Sequence, residues 1–213
     1  MYRPQQRVYD LTRKYYLLGR DRLIRELAVE PGQSVLDIGC GTGRNLALIG
    51  QRYPGVRLFG LDAAASMLAT AATRVPVAVL VRGVAEELDT ATMFDLPGGF
   101  DHVTISYCLS MVDDPARAVR AAARSLAPGG TLHIVDFGDM AGLPAWFRTG
   151  TTAWLARFHV RHRPEVEATL RALAAEGARR LETVAVARHY ALLLRLRQAD
   201  PSPVMVPGRP DTG

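Results

Sequence analysis

The sequence predicts an α/β fold, a mostly parallel sheet with helices on both faces. Three observations predict it. Short β-branched or leucine-rich runs alternate with longer stretches that carry apolar residues at helical spacing. Pro-Gly pairs at 31–32, 54–55, 97–98 and 128–129 mark turns into strands. The 213 residues suit one domain with a full core and leave little room for a second.

The elements follow in order. Strands are expected at Ser34–Ile38, Arg57–Leu61, Val77–Val81, His102–Ser106 and Thr131–Val135, each bounded by Gly, Pro or Asp. Helices are expected at Arg44–Tyr53, Ala64–Thr73 and Pro115–Leu126 between them. Strand-helix-strand repetition means parallel pairing with both faces covered. A last pair, Arg179–Val186 and Arg188–Arg197, has only Ala187 as a break and reads as an antiparallel hairpin at the sheet edge. From about Ala199 onward, prolines at 201, 203, 207 and 210 rule out a helix or a central strand, so 199–213 reads as a flexible tail.

Composition narrows the class. Hydrophobic residues make up 48% and charged residues 22%, as in an ordinary globular protein. No apolar run approaches the roughly 18 residues of a membrane span, and Met1–Gln6 lacks the apolar region of a signal peptide, so a cytoplasmic protein is expected. Cys40 and Cys108 are too few for a disulfide framework and lack zinc-ligand spacing, and no metal site is expected. The formal charge is +5, with Lys14 the only lysine. An arginine-rich, alanine-rich composition accounts for the surplus as well as attraction to an anionic surface does.

The sharpest signal is Val35-Leu36-Asp37-Ile38-Gly39-Cys40-Gly41-Thr42-Gly43-Arg44-Asn45, a buried strand running into a loop with glycine at every second position. Such glycines let the backbone adopt positive φ and pass close to a ligand, and the helix that follows offers free N–H groups. A dinucleotide fingerprint would need a third glycine at position 44 or 46, where Arg44 and Leu46 stand. The pattern is instead D-x-G-x-G-x-G. Asp37, two residues before the first glycine, suits a ligand with an ammonium group. S-adenosylmethionine carries one and has no pyrophosphate. Asp62 ends the second strand about 20 residues on, where an acid accepts both ribose hydroxyls of an adenosine.

With Gly83-Val84-Ala85-Glu86-Glu87-Leu88, Phe100–Ser106 and Leu126-Ala127-Pro128-Gly129-Gly130, these residues resemble the successive motifs of the class I S-adenosylmethionine-dependent methyltransferases. The resemblance implies a Rossmann-like fold whose seven-stranded sheet has its last strand antiparallel. It implies S-adenosylmethionine as cofactor, giving S-adenosylhomocysteine. Asp37, Gly39, Cys40, Gly41, Gly43 and Asn45 would serve its methionine end, Asp62 the ribose, and Ala63 and Met67 the adenine. Ala85 and Glu86 would lie at the adenine edge, with Ser106 and Tyr107 beneath the sulfonium. Val84 departs from the pattern, since many relatives carry an acid there.

The ends of the chain bear on the acceptor. Tyr9–Ile24 mixes three tyrosines with a run of cations. Both tryptophans fall in one segment after the fifth strand, where Trp146, Phe147, Trp154, Leu155 and Phe158 cover about half a helix at 100° per residue. Arg157 and Arg161 share that arc. Aromatics interleaved with arginines suit anionic headgroups, and they equally suit a helix covering the sheet; Gly150 weakens the case for one continuous helix. The combination resembles the diacylglyceryl-homoserine N-methyltransferases of bacterial betaine-lipid synthesis over residues 7 to 197. The matching parts are Tyr9–Ile24, Gly43-Arg44-Asn45-Leu46, the segment ending Phe158-His159-Val160, and the last strand with Tyr190. Soluble bacterial phosphatidylethanolamine N-methyltransferases are near relatives. A small-amine methyltransferase and a non-catalytic S-adenosylmethionine-binding protein are the other readings. The resemblance divides the chain into a covering helical segment at 1–30, a methyltransferase domain at 31–198 with a lid at 140–163, and the tail.

On this reading the substrate is an amino lipid, met at the inner membrane surface by a peripheral and transient contact. Nucleic acid is not expected, because no Asn/Asp-Pro-Pro-Tyr-like motif follows the fourth strand. Tyr16, Tyr107 and Tyr190 are the candidates for steadying a growing quaternary ammonium by cation–π contact, with Tyr9 an alternative that closes over the cofactor. Arg13, Arg20 and Arg148 are the candidates for a headgroup carboxylate. The proton acceptor stays open between a tyrosine, a histidine and bulk water. His102 and His133 sit in strand patterns and read as packing, and Asp113 and Asp114 read as helix caps.

Overall fold

The computed structural model describes residues 17–157, 162–177 and 179–198. Tyr9, Arg13, Tyr16, Phe158–Arg161 and the tail lie outside them. The described chain forms α1 (Arg20–Arg25), β1 (Ser34–Ile38), α2 (Arg44–Arg52), β2 (Arg57–Asp62), α3 (Ala65–Arg74), β3 (Val79–Arg82) and α4 (Thr90–Phe94). It continues with β4 (Phe100–Ser106), α5 (Pro115–Arg124), β5 (Leu126–Phe137), α6 (Ala145–Ala156), α7 (Pro164–Glu176), β6 (Arg179–Val186) and β7 (Ala191–Gln198).

The seven strands make one sheet in the order β3-β2-β1-β4-β5-β7-β6. β1 is buried along its whole length and pairs in parallel with β2 and β4, the placement its unbroken apolar run demands. β7 runs antiparallel to both β5 and β6, so the last strand of the chain reverses direction as expected.

Each face of the sheet has its own core. On one, Leu36, Ile38, Val103 and Ile105 meet the alanines of α5 and Val166, Leu170 and Leu173 of α7. Phe59, Phe94 and Phe100 join it edge to face at 5.1 to 5.9 Å. The other gathers Val35, Leu46, Ile49, Tyr107, Val135, Phe137, Leu155 and Tyr190 with Leu23, Ile24 and Leu27 around α1. Burying each leucine or isoleucine fully stabilises the fold by about 1.5–3 kcal/mol.

Among the buried polar groups is a histidine pair. Nδ1 of His102 lies 3.2 Å from Nε2 of His133, and Nε2 of His102 meets Oε1 of Gln33 at 3.2 Å. Burial pulls both imidazoles below their usual range, His133 to about 3, so both are neutral packing groups.

Several boundaries differ from expectation. β3 starts at Val79, and Val77 is exposed. α5 stops at Arg124, and β5 starts at Leu126 instead of Thr131. Pro128 is tolerated because the register against β4 slips between Phe100 and His102, at a bulge. The last hairpin turns over residues 187–190, with Ala187, Arg188 and His189 at positive φ, so Ala187 alone is not the break. α6 runs unbroken through Gly150; a glycine inside a helix costs about 1 kcal/mol, which the packing of Leu155 beneath it offsets.

Candidate cofactor site

Between β1 and β4 the chain order reverses, and helices leave to opposite faces. The C-terminal ends of the strands open a crevice there, the usual ligand position in such sheets. It holds a cavity of about 400 Å³, within the usual range for small-molecule sites.

The glycine loop forms its floor. The N–H groups of Gly39 and Cys40 both donate to the carbonyl of Leu61, at 2.8 and 3.0 Å, and so bind the loop to β2. Gly39, Gly41 and Gly43 have φ of +69°, +55° and +74°. A Cβ on Gly39 would stand 2.8 Å from Cys108, and one on Gly43 3.0 Å from Ala71, so only glycine fits either place. A Cβ on Gly41 would meet nothing within 4 Å.

Two carboxylates flank this loop. Asp62 accepts the Gly41 N–H on Oδ2 and the Ala64 N–H on Oδ1, each at 2.8 Å. Asp37 is buried, with Oδ1 receiving the Thr104 hydroxyl at 2.7 Å and the Asn45 amide at 3.5 Å. Its Oδ2 has no partner. Burial pushes the Asp37 carboxyl up to about 6, against the hydrogen bonds from Thr104 and Asn45 and the charge of Arg20. An orphaned buried carboxylate oxygen beside a loop open to a ligand fits an ammonium-bearing group.

At the far end of β4, Tyr107 has φ +54°, a strained backbone for a bulky residue and one that recurs at functional sites. Its phenol donates to the Leu18 carbonyl, which ties the approach to α1 onto the sheet. Burial, with the charge of Asp136 behind it, pushes the phenol well above its ordinary range, so it stays neutral. The Tyr107 ring meets Phe137 edge to face at 4.8 Å, and Phe137 meets Tyr190 at 5.8 Å.

The structure brings most of the expected residues together. Gly39, Cys40, Gly41, Asn45, Asp62, Ala63, Met67, Ala85, Glu86, Ser106, Tyr107 and Arg20 line the cavity. Asp37 and Gly43 do not: Asp37 is buried beside the loop with its Oδ2 unpartnered, and Gly43 packs on α3. Tyr190 and Arg148 are also outside the wall, a correction to their expected contact with the acceptor. Tyr190 is buried behind Phe137 at the end of a turn, and Arg148 is exposed on α6. Arg20 sits at the loop end of the cavity, where its charge acts on Asp37 and Tyr107.

Leu17, Thr42, Arg44, Cys108, Met111, Val112 and Asp113 line the cavity as well, and of these Leu17, Met111 and Val112 carry no sequence motif. Of the two aspartates read as helix caps, Asp114 does the capping, accepting the Arg117 N–H at 2.9 Å, and Asp113 faces the cavity. The spacing of Asp113 from the end of β4 was the only signal for it. Burial pushes the Cys40 thiol far up, so it is a small inert wall residue. Among the described residues no three His, Cys, Asp or Glu side chains are grouped to hold a metal.

Residues 36–132 match the family model described as a methyltransferase domain. A demethylmenaquinone methyltransferase of Mycolicibacterium paratuberculosis is 38% identical over 157 residues, 71% of this chain and 63% of the relative. One from Renibacterium salmoninarum is 33% identical over 154 residues, 70% of this chain and 61% of the relative. The chain thus spans about three fifths of the length of these relatives. Among solved structures, an S-adenosylmethionine-dependent methyltransferase from Mesorhizobium loti superposes with a TM-score of 0.65 at 24% identity, covering 84% of this chain and 97% of that one. The N-methyltransferase NodS of Bradyrhizobium japonicum gives 0.61 at 21%, covering 85% and 94%. The fold is that of the S-adenosylmethionine-dependent methyltransferases, and residues 36–132 match a methyltransferase domain.

Proposed function

We propose that this chain is an N-methyltransferase that acts on the amino group of a lipid headgroup, diacylglyceryl-homoserine being the acceptor that the N-terminal sequence favours. The observation that carries this reading is the Tyr107 ring in the cavity wall, held from behind by Phe137, which in turn packs on Tyr190. S-adenosylmethionine supplies an electrophilic methyl group on a sulfonium. Asp62 takes the ribose hydroxyls. Asp37 and Arg20 take the ammonium and carboxylate of the methionine end, which moves Arg20 from acceptor to cofactor. Ala85 and Glu86 border the adenine.

Methyl transfer is an in-line displacement, so the enzyme's task is to place a neutral amine behind the methyl group and exclude water. The Tyr107 phenol spends its proton on the Leu18 carbonyl and stays neutral, so this residue contributes its ring and not a base. A ring face beside a growing quaternary ammonium is worth about 0.5–2 kcal/mol. The amine loses its proton to solvent between rounds. Glu86 and Asp113 on the wall add negative charge that draws a cationic headgroup in.

A second reading has its own support, since the similar curated proteins are named demethylmenaquinone methyltransferases. It replaces the amine with a ring carbon of a lipid-soluble quinol. Incubation with methyl-labelled S-adenosylmethionine, diacylglyceryl-homoserine and demethylmenaquinol in mixed micelles decides between them. Label in a betaine lipid supports the amine reading. Label in a quinone overturns it in favour of the second, and label in neither overturns both.

A further inference from the structure

Helix α6 carries its aromatic residues outward. Trp146 is 77% exposed, Trp154 42% and Phe147 37%, whereas Leu155 is 5% exposed and packs into the core. The Trp146 and Phe147 rings meet edge to face at 5.8 Å. At 100° per residue, Trp146 lies about 180° from Leu155, and Arg157 about 20° from Trp146. A tryptophan and an arginine therefore share the line that points away from the protein. Phe147 and Trp154, about 20° apart, form a second line beside it.

Charge identifies what this surface fits. From Met140 to Pro164 the sequence has no acidic residue, and it has arginines at 148, 157, 161 and 163. Arg163 is engaged with Glu165 and the carbonyls of Ser110 and Val112. Arg157 is exposed on the Trp146 line, whereas Arg148, exposed as well, lies about 20° from Leu155 on the other side. Indole rings settle at the boundary between hydrocarbon and headgroups, and guanidinium groups pair with phosphates there. An acid-free face of two indoles, a phenyl ring and an arginine matches that layer.

We propose that α6 docks on the surface of an anionic phospholipid bilayer, with Trp146, Phe147 and Trp154 entering the headgroup layer and Arg157 on a lipid phosphate. Leu155, which anchors the helix, shares its core with Leu17 and Tyr107, and both of these line the cavity. The docked helix therefore sits at the cavity's end of the sheet, and a lipid headgroup would enter without leaving the membrane. Docking itself needs only this helix and is independent of the acceptor's identity.

Both tryptophans of the protein lie on α6, so intrinsic fluorescence reports on this helix alone. The full chain is titrated with phosphatidylcholine vesicles with and without phosphatidylglycerol. The expected result is a blue shift with the anionic vesicles, weakened by salt. By vesicle sedimentation, Arg157→Glu and the double variant Trp146→Ser, Trp154→Ser should each bind at least tenfold more weakly, with S-adenosylmethionine affinity unchanged as the check on folding. Equal binding to both vesicle types, no blue shift, or full vesicle binding by the double variant overturns the proposal. Methyl transfer to detergent-dispersed lipid, measured in parallel, tests the acceptor reading separately: a variant that loses vesicles and keeps this activity leaves that reading standing.

Discussion

The Gly41 amide donates to Oδ2 of Asp62 at 2.8 Å, across the gap between the glycine loop and the end of β2. The other oxygen of the same carboxylate holds the Ala64 amide at the entry to α3. One side chain thus fixes two backbone segments that border the cavity and stands where a ribose is expected. Replacing Asp62 by Ala removes both bonds and the hydroxyl acceptor. Hydrogen bonds to a charged group contribute about 1.5–3 kcal/mol, so affinity for S-adenosylmethionine should fall at least tenfold by calorimetry. An unchanged affinity would show that the ribose lies elsewhere.

Gly39 and Gly41 should respond differently to alanine. Both have positive φ, which costs an alanine about 1–2 kcal/mol, but only at Gly39 does the new Cβ run into a neighbour, Cys108 at 2.8 Å. Urea unfolding should therefore rank Gly39→Ala as the less stable by 1 kcal/mol or more, roughly the cost of overpacking. Equal losses would contradict the packing described for the loop.

Asp37 should make cofactor binding depend on pH. Its carboxyl is pushed up to about 6 by burial, and the ionised form is the one that receives an ammonium. Affinity for S-adenosylmethionine should rise as pH increases through about 6, and Asp37→Asn should flatten that rise while lowering affinity throughout. A wild-type affinity constant from about pH 5 to 7 would exclude this carboxylate from the methionine end.

Asp136 makes a separate, stability-linked prediction. Its Oδ2 has no partner, and burial pushes the carboxyl up to about 6 from 3.8, against backbone hydrogen bonds from Phe137 and Leu109 and the charges of His162 and Arg163. A folded-state value above the unfolded one means that the folded protein holds more protons across this window. Its contribution to stability therefore declines as pH rises from about 4 to about 6. Asp136→Asn should remove that decline and gain about 1–3 kcal/mol on the wild type at neutral pH relative to pH 4, read from urea unfolding at both. An identical pH dependence in the two proteins would be the contrary result.

Much of the fold was legible because its signals are local. The apolar run Val35–Ile38 dictates a central strand, and the three glycines with Asp37 and Asp62 define a loop and its ligand end from spacing alone. What spacing misses is set by tertiary contact. Pro128-Gly129 read as a turn before the fifth strand, yet β5 runs through it at a bulge opposite Phe100 and His102. Tyr190 looked available, yet the four-residue turn before β7 buries it behind Phe137. Arg20 read as an acceptor ligand, but Gly19, whose Cβ position is 3.2 Å from Val135, starts α1 where the arginine faces the loop. Met111 and Val112 carry no motif and enter the wall only because the short helical turn after β4 folds over the crevice.

The account depends on one placement, an adenosyl sulfonium in the crevice between Gly39 and Asp62. A crystal structure of the chain with S-adenosylhomocysteine measures it directly. The ribose should lie on the Asp62 carboxylate, the amino-acid end beside Arg20 and Asp37, and the sulfur above Ser106 and Tyr107. Ligand density at another surface, or a ribose turned away from Asp62, would contradict it.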